Sequence, residues 1–241
     1  MAAIQPNTDL YSYDIIVVGG GHAGCEAASA AARLGMRTLL LTMDIQKLAS
    51  MSCNPAIGGV AKGQIVREID ALGGKTGEIT DRTTIQFRML NRSKGAAMWS
   101  PRAQCDKARF SAEWRRTLEI TQGLYIWQDT AVELLYDTSG ERPRIRGLKT
   151  QMGVEFEAQT IILTAGTFLS GLMHCGRQSA SGGRAGDAAA IGITESLREM
   201  GVEVGRMKTG TPARLDARTI NFEALEPQWG DERPSKFSLR S

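Results

Sequence analysis

Residues 14–24 read DIIVVGGGHAG, and this stretch decides the fold. The run IIVV is short, apolar and β-branched, which is typical of a buried parallel strand. The alanine-rich segment 23–34 predicts a helix that Gly35 ends, and residues 37–42 predict a second buried strand. The sequence therefore predicts a β-α-β unit at the start of an α/β domain.

The glycines between the first strand and the helix have G-x-G-x-x-G spacing. In dinucleotide-binding folds the first glycine permits a tight turn, the second lets backbone approach a pyrophosphate, and the third permits close helix packing. The helix N-terminus adds free N–H groups and a positive dipole. We predict a phosphate-binding loop of six residues: Gly19, Gly20, Gly21, His22 (through its backbone N–H), Ala23 and Gly24. A glycine-rich loop without a ligand is the alternative.

The end of the second strand is where a dinucleotide-binding fold usually carries an acid for a ribose hydroxyl. The sequence there is Leu41-Thr42-Met43-Asp44. Asp44 is at about the right distance but falls beyond the predicted strand, and Thr42 occupies the usual position of the acid. Both residues are therefore candidates for the cofactor site.

Composition excludes several classes of protein. At 42% hydrophobic and 23% charged residues, the chain is of ordinary globular type, and no apolar run reaches the ~18 residues that a membrane span needs. The N-terminus shows no secretory signal, so a cytoplasmic location and no membrane contact are expected. The four cysteines form no C-x-x-C motif and only two histidines occur, so no metal site is predicted.

Residues 82–116 are strongly basic, although the net charge of the whole chain is only +3. This segment contains nine Lys or Arg residues against Asp106 and Glu113, a local excess of seven positive charges. Such a basic segment can attract a phosphate-rich partner. A solvated face balanced by acids elsewhere is the alternative.

Local sequence patterns predict the secondary-structure elements between the β-α-β unit and residue 163. Residues 51–59 predict a loop and 61–72 a helix, while 75–100 show no clear period. Pro101 predicts the first turn of a helix that extends to about residue 121. An antiparallel β-meander is predicted over about 124–157, with strands at 124–127, 131–136, 144–150 and 154–156. A buried strand at 160–163 follows it.

The remaining segment predicts a flexible loop at 181–187, in which Asp187 caps a helix over 188–200, and then a strand over 203–208. Arg184 lies between glycines of this loop, where it is either an anion clamp or a solvated charge. We expect a Rossmann-like domain over 1–200 and the beginning of a second domain over 201–241.

This order of elements resembles the flavin domain of glutathione-reductase-like flavoproteins. In that family a parallel sheet with helices carries a small antiparallel meander, and the chain returns near the dinucleotide after a strand that ends in T-A-G. The resemblance implies FAD as cofactor. It adds to the candidate site the turn Thr164, Ala165, Gly166 and Thr167. Val132, which opens a predicted strand after a helix, is a further candidate, as a backbone contact for the adenine.

A closer resemblance extends over nearly the whole chain. Segments that carry it include GGGHAG at 19–24, MSCNPAIGG at 51–59, DALGG at 70–74, IQFR at 85–88, GTFL at 166–169, SGGRAGD at 181–187 and KTGTP at 208–212. In this order they resemble the GidA (MnmG) family of tRNA uridine-5-carboxymethylaminomethyl modification proteins. MSCNPAIGG and SGGRAGD are the most specific of them.

The resemblance implies function as well as fold. The family uses FAD, NADH and a folate one-carbon donor, and together with the GTPase MnmE it modifies position 5 of the wobble uridine of certain tRNAs. A homodimer is also implied. By the same resemblance Cys53 is one of two functional cysteines, and a thiolate there suits covalent catalysis; a packing role is the alternative. Further cofactor contacts are implied at Asn54, Gly58, Gly59, Ser181 and Arg184.

The chain also departs from the family pattern. Family members are more than twice as long, so we expect an N-terminal portion that carries most of the FAD-binding fold. The second cysteine, most of the NADH site, the late segment that closes the flavin site and the C-terminal helices that hold MnmE and tRNA are expected elsewhere. This portion alone is therefore expected to be inactive. Three other functions stay open: a general FAD-dependent oxidoreductase, a folate- and FAD-dependent tRNA methyltransferase, and a non-catalytic dinucleotide-binding module.

Overall fold

The computed structural model describes residues 8–52, 54–210 and 212–241. Its contacts divide the chain into two compact units, each made of two separate segments. Unit 1 combines Met1–Ser50 with Ser111–Arg206, and unit 2 combines Met51–Phe110 with Met207–Ser241. The division of the chain at about residue 200 stays a prediction.

The described residues form eleven strands and five α-helices. The strands are β1 (Ser12–Val18), β2 (Thr38–Thr42), β3 (Ala56–Gly58), β4 (Thr84–Leu90), β5 (Ser100–Cys105), β6 (Leu124–Gln128), β7 (Ala131–Asp137), β8 (Arg144–Thr150), β9 (Glu155–Leu163), β10 (Leu172–Cys175) and β11 (Gln178–Ser181). The helices are α1 (His22–Arg33), α2 (Lys62–Ala71), α3 (Thr76–Thr83), α4 (Lys107–Glu119) and α5 (Ile193–Glu199).

Unit 1 is built on a six-stranded sheet in the order β6-β2-β1-β9-β8-β7. The first four strands are parallel, whereas β9-β8-β7 are antiparallel. This confirms the predicted Rossmann-like α/β class. Residues 124–127, predicted as a strand of the meander, instead lie in β6, which pairs in parallel with β2. The two strands predicted at 154–156 and 160–163 are one continuous strand, β9.

The core of unit 1 lies along this sheet and under α5. It contains side chains such as Ile16, Leu39, Leu134 and Phe156, each at most 3% exposed. Burying one such side chain contributes about 1.5–3 kcal/mol to folding. Apolar packing therefore makes a large contribution to the stability of the unit.

Unit 2 contains a three-stranded antiparallel sheet in the order β3-β5-β4. Ile57, Phe87 and Ala103 form its buried face, at no more than 4% exposure. The prediction of irregular structure over 75–100 was wrong, because α3 and β4 form there. The burial of Phe87 and the helix contacts of this sheet override a weak local pattern.

Pro101 lies in β5, so the prediction of a helix beginning there was wrong. The helix α4 begins at Lys107 because Asp106 caps it. The Asp106 carboxylate accepts hydrogen bonds from the N–H groups of Ala108 and Arg109, both at 3.0 Å. β3 ends at Gly58, which pairs with Arg102, so β3 does not extend as far as Pro101. The N–H group that proline lacks is therefore not needed for strand pairing on that side of β5.

Two further predictions in the later part of the chain were wrong. The helix predicted over 188–200 is shorter, and its N-cap is Gly192 with φ of +113°. Asp187 does not cap it, because its carboxylate binds the side chains of Lys47 and Arg184. Residues 203–208, predicted as a strand, have no regular secondary structure.

In unit 2, residues 237–240 are attached to the helices by two carboxylates. Asp70, only 3% exposed, accepts hydrogen bonds from the Arg240 guanidinium at 2.8 Å and from Leu239 N at 3.2 Å. Asp81 accepts from Phe237 N and Ser238 N. Burial raises the pKa of Asp70, but hydrogen bonds from Arg240, Ser238 and Leu239 more than offset this, and the pKa lies below its ordinary value.

We expect this attachment to make unit 2 sensitive to acid. Because the folded-state pKa of Asp70 is depressed, its contribution is present above the ordinary pKa of about 4 and is lost as pH falls through the folded-state value. Asp70→Asn should cost about 2 kcal/mol at neutral pH and flatten the acid limb of the stability profile. Urea unfolding between pH 7 and pH 3 measures both effects.

Asp216 is the matched control, because its pair with Arg218 is exposed on both sides. Asp216→Asn should leave the free energy of unfolding nearly unchanged. Equal effects of the two substitutions would contradict a specific role for Asp70.

Candidate functional site

The glycine loop of unit 1 runs from the end of β1 into α1. Two of its glycines are required by the protein itself. Gly19 has φ of +108°, and a Cβ there would lie 2.6 Å from the Thr164 carbonyl oxygen. A Cβ at Gly24 would overlap the Gly19 carbonyl. Both positions therefore need glycine for tight packing of β1, α1 and the turn after β9.

Gly21 differs from these two, because no heavy atom lies within 4 Å of the position that a Cβ would occupy. Its φ of −75° is open to any residue. It is the N-cap of α1 but supplies no side-chain cap, so the first N–H groups of the helix lack a side-chain acceptor at this position. The protein's own packing gives no reason for glycine here, whereas the close approach of an anionic ligand does.

The loop is held by hydrogen bonds on both sides. Ala49 N donates to the Gly20 carbonyl at 2.8 Å, and the His22 imidazole Nε2 lies 3.0 Å from the Ala49 carbonyl oxygen. On the other side, Thr164 Oγ1 donates to the carbonyls of Val18 and Gly19. His22 therefore uses its ring to fix the loop, a role that sequence alone did not reveal.

Cys25 lies on the buried face of α1 beneath this loop. Its thiol lies 3.4 Å from the Gly20 carbonyl oxygen, and the side chain is fully buried. Burial raises the pKa of the thiol to about 12. Cys25 is therefore protonated at neutral pH and acts as a packing residue, not as a nucleophile.

The candidate ribose residues lie at the end of β2, as expected. Thr42 is the last residue of the strand and is buried, whereas Asp44 lies two residues beyond. The Asp44 carboxylate caps the 3₁₀ turn Ile45–Lys47 through Gln46 N and pairs with Lys47 Nζ at 3.1 Å. Its remaining acceptor capacity can serve a hydroxyl group.

The turn at 164–167 follows β9 beside the glycine loop. Thr164 N donates to the Val18 carbonyl, which continues the pairing of β9 with β1. Gly166 has φ of +57°, and Thr167 Oγ1 donates to the Gly183 carbonyl at 2.7 Å. The structure thus brings the T-A-G turn next to both the glycine loop and the 181–187 loop.

The 181–187 loop is connected to the 3₁₀ turn after β2 by an ion pair between residues 140 positions apart in sequence. Lys47 Nζ lies 2.5 Å from one Asp187 oxygen, and Arg184 Nε lies 2.6 Å from the other. Hydrogen bonds from Lys47 and then Arg184 lower the pKa of Asp187, and Asp187 in turn raises the pKa of Lys47. The Arg184 side chain is thus not simply solvated, and an anion that binds to it would have to share it with Asp187.

Val132 and Ser181 are also in unit 1. Val132 lies at a register shift between β7 and β8, and Gly192 packs against its carbonyl. Ser181 is the exposed last residue of β11. Their assignment to a cofactor stays a prediction.

The other candidates belong to unit 2. Asn54, Gly58 and Gly59 lie before α2; Gly58 has φ of +100° and packs against the Pro101 carbonyl and the Phe237 ring. Gly59, with φ of +95°, has no heavy atom within 4 Å of the position that a Cβ would occupy. Cys53, the predicted catalytic residue, lies outside the described residues.

Among the described residues, no cluster of His, Cys, Asp and Glu could hold a metal ion. None of the helices in the ranges 8–52, 54–210 and 212–241 is long and apolar enough to cross a membrane.

Comparison with known proteins places this geometry in a family. Residues 14–241 match the family model described as glucose inhibited division protein A. The chain belongs to the GidA family. The resemblance noted from the sequence is therefore confirmed over almost its full length.

Several GidA family members are similar to this chain. An enzyme from Bacteroides thetaiotaomicron named tRNA uridine 5-carboxymethylaminomethyl modification enzyme MnmG is 60% identical over 229 residues, which are 95% of this chain and 36% of the relative. The protein of the same name from Flavobacterium johnsoniae is 56% identical, again over 95% and 36%. The chain thus spans about a third of the length of these relatives.

Solved structures agree with this assignment. Aquifex aeolicus GidA superposes with a TM-score of 0.90 at 45% identity, over 96% of this chain and 38% of that one. A GidA-related protein from Thermus thermophilus has a TM-score of 0.55 at 21% identity, over 78% of this chain and 68% of that one, a likeness of fold alone.

Proposed function

We propose that this chain is the FAD-binding part of a tRNA-modifying enzyme that installs a carboxymethylaminomethyl group at position 5 of the wobble uridine. The observation that carries the proposal is the open position at Gly21, between two glycines that packing requires. A phosphate can approach the backbone there, and the family relationship makes a dinucleotide its source.

The residues of unit 1 fit an FAD pyrophosphate. Residues 19–24 would bind the phosphates through N–H groups at the head of α1, and Thr42 or Asp44 would hold the ribose. Val132 and the turn at 164–167 would contact the rest of the dinucleotide, together with Ser181 and Arg184. Asn54, Gly58 and Gly59 of unit 2 are further proposed contacts.

When bound, the flavin supplies electron transfer. The residues of this chain bind and orient it: Lys47 and Asp187 connect the 181–187 loop to the 3₁₀ turn after β2, and Thr164 fixes the glycine loop from the other side. Both contacts reduce the freedom of the loops before a ligand arrives, which lowers the entropic cost of binding.

We propose Cys53 as the nucleophile. Its thiolate would add to the uracil carbon next to position 5 and raise the electron density at position 5, where the new carbon–carbon bond forms. Support comes from the family relationship and from the exclusion of Cys25, which is buried with a raised pKa. The same family relationship supports the rest of the proposal: NADH as reductant, a folate donor, tRNA as substrate, MnmE as partner, a homodimer and a cytoplasmic location.

Deleting the gene that encodes this chain tests the function. The modified wobble uridine should disappear from the host's tRNA, as measured by mass spectrometry of digested nucleosides, and return when the gene is restored. An unchanged nucleoside profile would refute the proposal. Loss of a methylated uridine instead would favour the related folate- and FAD-dependent methyltransferase.

A further inference from the structure

The three-stranded sheet of unit 2 has one apolar face and one polar face. Ile57, Phe87 and Ala103 lie on the buried face, so their neighbours in each strand point to the other side. The polar face carries two rows across the order β3-β5-β4, which are Gly58-Arg102-Arg88 and Ala56-Gln104-Gln86. None of these strands contains an acidic residue.

Arg88 and Arg102 are direct partners across the β4-β5 pair. Directly opposite residues have their Cβ atoms about 4.5–5.5 Å apart, and like charges at such positions destabilise the sheet. Both side chains are half-buried, and neither makes an ion pair or hydrogen bond with the residues that the structure describes. The sheet therefore carries an unfavourable charge pair that its own residues do not compensate.

Three other arginines of the basic segment have acidic partners. Arg82 pairs with Glu78, Arg92 with Asp231 at 2.8 Å, and Arg115 with Glu119 at 2.7 Å. Asp231 also accepts a hydrogen bond from Met89 N through the same oxygen, Oδ2, so its carboxylate lies at the edge of β4. Arg88 and Arg102 differ from these three, because they contribute to the excess charge of the basic segment 82–116 without an ion pair among the described residues.

The geometry suits an oxyanion. Two guanidinium groups on adjacent strands present planar sets of donors that match the oxygen atoms of a phosphate. The amide of Gln104 adds a donor in the next row. A bound phosphate would also cancel the repulsion between the two arginines.

We propose that Arg88 and Arg102 together bind a phosphodiester group of the RNA substrate. This inference rests on the proposed function, which makes RNA the source of the phosphate. The two arginines by themselves would also suit the phosphate of a small molecule such as FAD. Phosphate contacts of this kind fix the register of a nucleic acid and make its affinity depend on salt.

The test uses the double variant Arg88→Gln and Arg102→Gln, with tRNA binding measured by filter retention across a range of NaCl concentrations. Loss of one phosphate contact should weaken binding roughly tenfold or more at low salt. It should also reduce the slope of log K against log salt by about 0.7–0.9. FAD binding should not change.

The matched control is Arg82→Gln with Arg115→Gln, which removes the same charge from the same basic segment but from residues that already have acidic partners. It should change the affinity and the salt slope much less. The thermal midpoint of the Arg88/Arg102 variant should equal or exceed that of the wild type, because a like-charge pair has been removed.

Each alternative outcome is distinct. If the wild type does not bind tRNA, this inference fails, and the nucleoside profile after gene deletion decides the proposed function separately. If it binds and the Arg88/Arg102 variant binds with the same affinity and slope, only this inference fails. Loss of FAD with retained tRNA binding would assign the arginines to a small-molecule phosphate, and a lowered thermal midpoint would assign them a structural role; both results overturn the inference.

Discussion

Replacing Gly21 with valine is expected to abolish FAD binding and to leave the fold of unit 1 intact. No protein atom lies within 4 Å of an added Cβ, and the backbone at φ of −75° accepts any residue. The side chain would therefore occupy only the space through which a pyrophosphate approaches the head of α1. Gly21→Ala should give an intermediate loss. Flavin absorbance after gel filtration and a circular dichroism melt measure the two properties separately.

Gly24→Ala is the contrasting control. Its Cβ would overlap the Gly19 carbonyl oxygen, so α1 must shift away from β1. We expect this change to lower the free energy of unfolding by about 2 kcal/mol or more. A Gly21→Val protein that binds FAD like the wild type would show that the pyrophosphate lies elsewhere.

Replacing Cys53 with alanine in the chromosomal gene is expected to reduce the modified wobble uridine to background. Cys53→Ser should have the same effect, because an alcohol is far less ionised than a thiol at neutral pH. Both variants should retain FAD and tRNA, since the changes are small. Nucleoside mass spectrometry measures the modification, and flavin absorbance measures the cofactor.

Cys175→Ala is the matched control, because Cys175 is an exposed free cysteine at the end of β10. Its removal should leave the modification unchanged. Near-normal modified uridine with alanine at position 53 would remove the catalytic role from Cys53 and leave it a packing role.

Local sequence was sufficient to predict the β1-α1-β2 unit. The run IIVV, the alanine-rich helix and the glycine spacing each act within a few residues, so no distant contact was needed to interpret them. The helix predicted over 61–72 was confirmed as α2 for the same reason, because its apolar period and the following glycines are local signals.

Tertiary contacts determined the elements that were predicted wrongly. Pro101 is a good first residue of a helix in isolation, but the residues around it pair with β4 and bury Ala103, while Asp106 caps the helix further along. Asp187 is a good cap residue, yet Lys47 and Arg184 hold its carboxylate. Neither partner can be inferred from neighbouring sequence.

The same limit applies to the site. Sequence patterns placed the glycine loop, but they could not separate Gly21, which is open, from Gly19 and Gly24, which packing requires. Arg88 lies opposite Arg102 because β4 pairs with β5, and β5 was not predicted because Pro101 indicated the start of a helix. The basic segment was visible as an excess of charge, whereas its uncompensated pair was not.

Titration of the purified chain with FAD and, separately, with FMN tests the central claim most directly. The account predicts that FAD binds at one molecule per chain and that FMN, which lacks the pyrophosphate and the adenosine, binds much more weakly. A chain that is folded by circular dichroism but retains no FAD at excess cofactor, or that binds FMN as tightly as FAD, would contradict a dinucleotide site at Gly21.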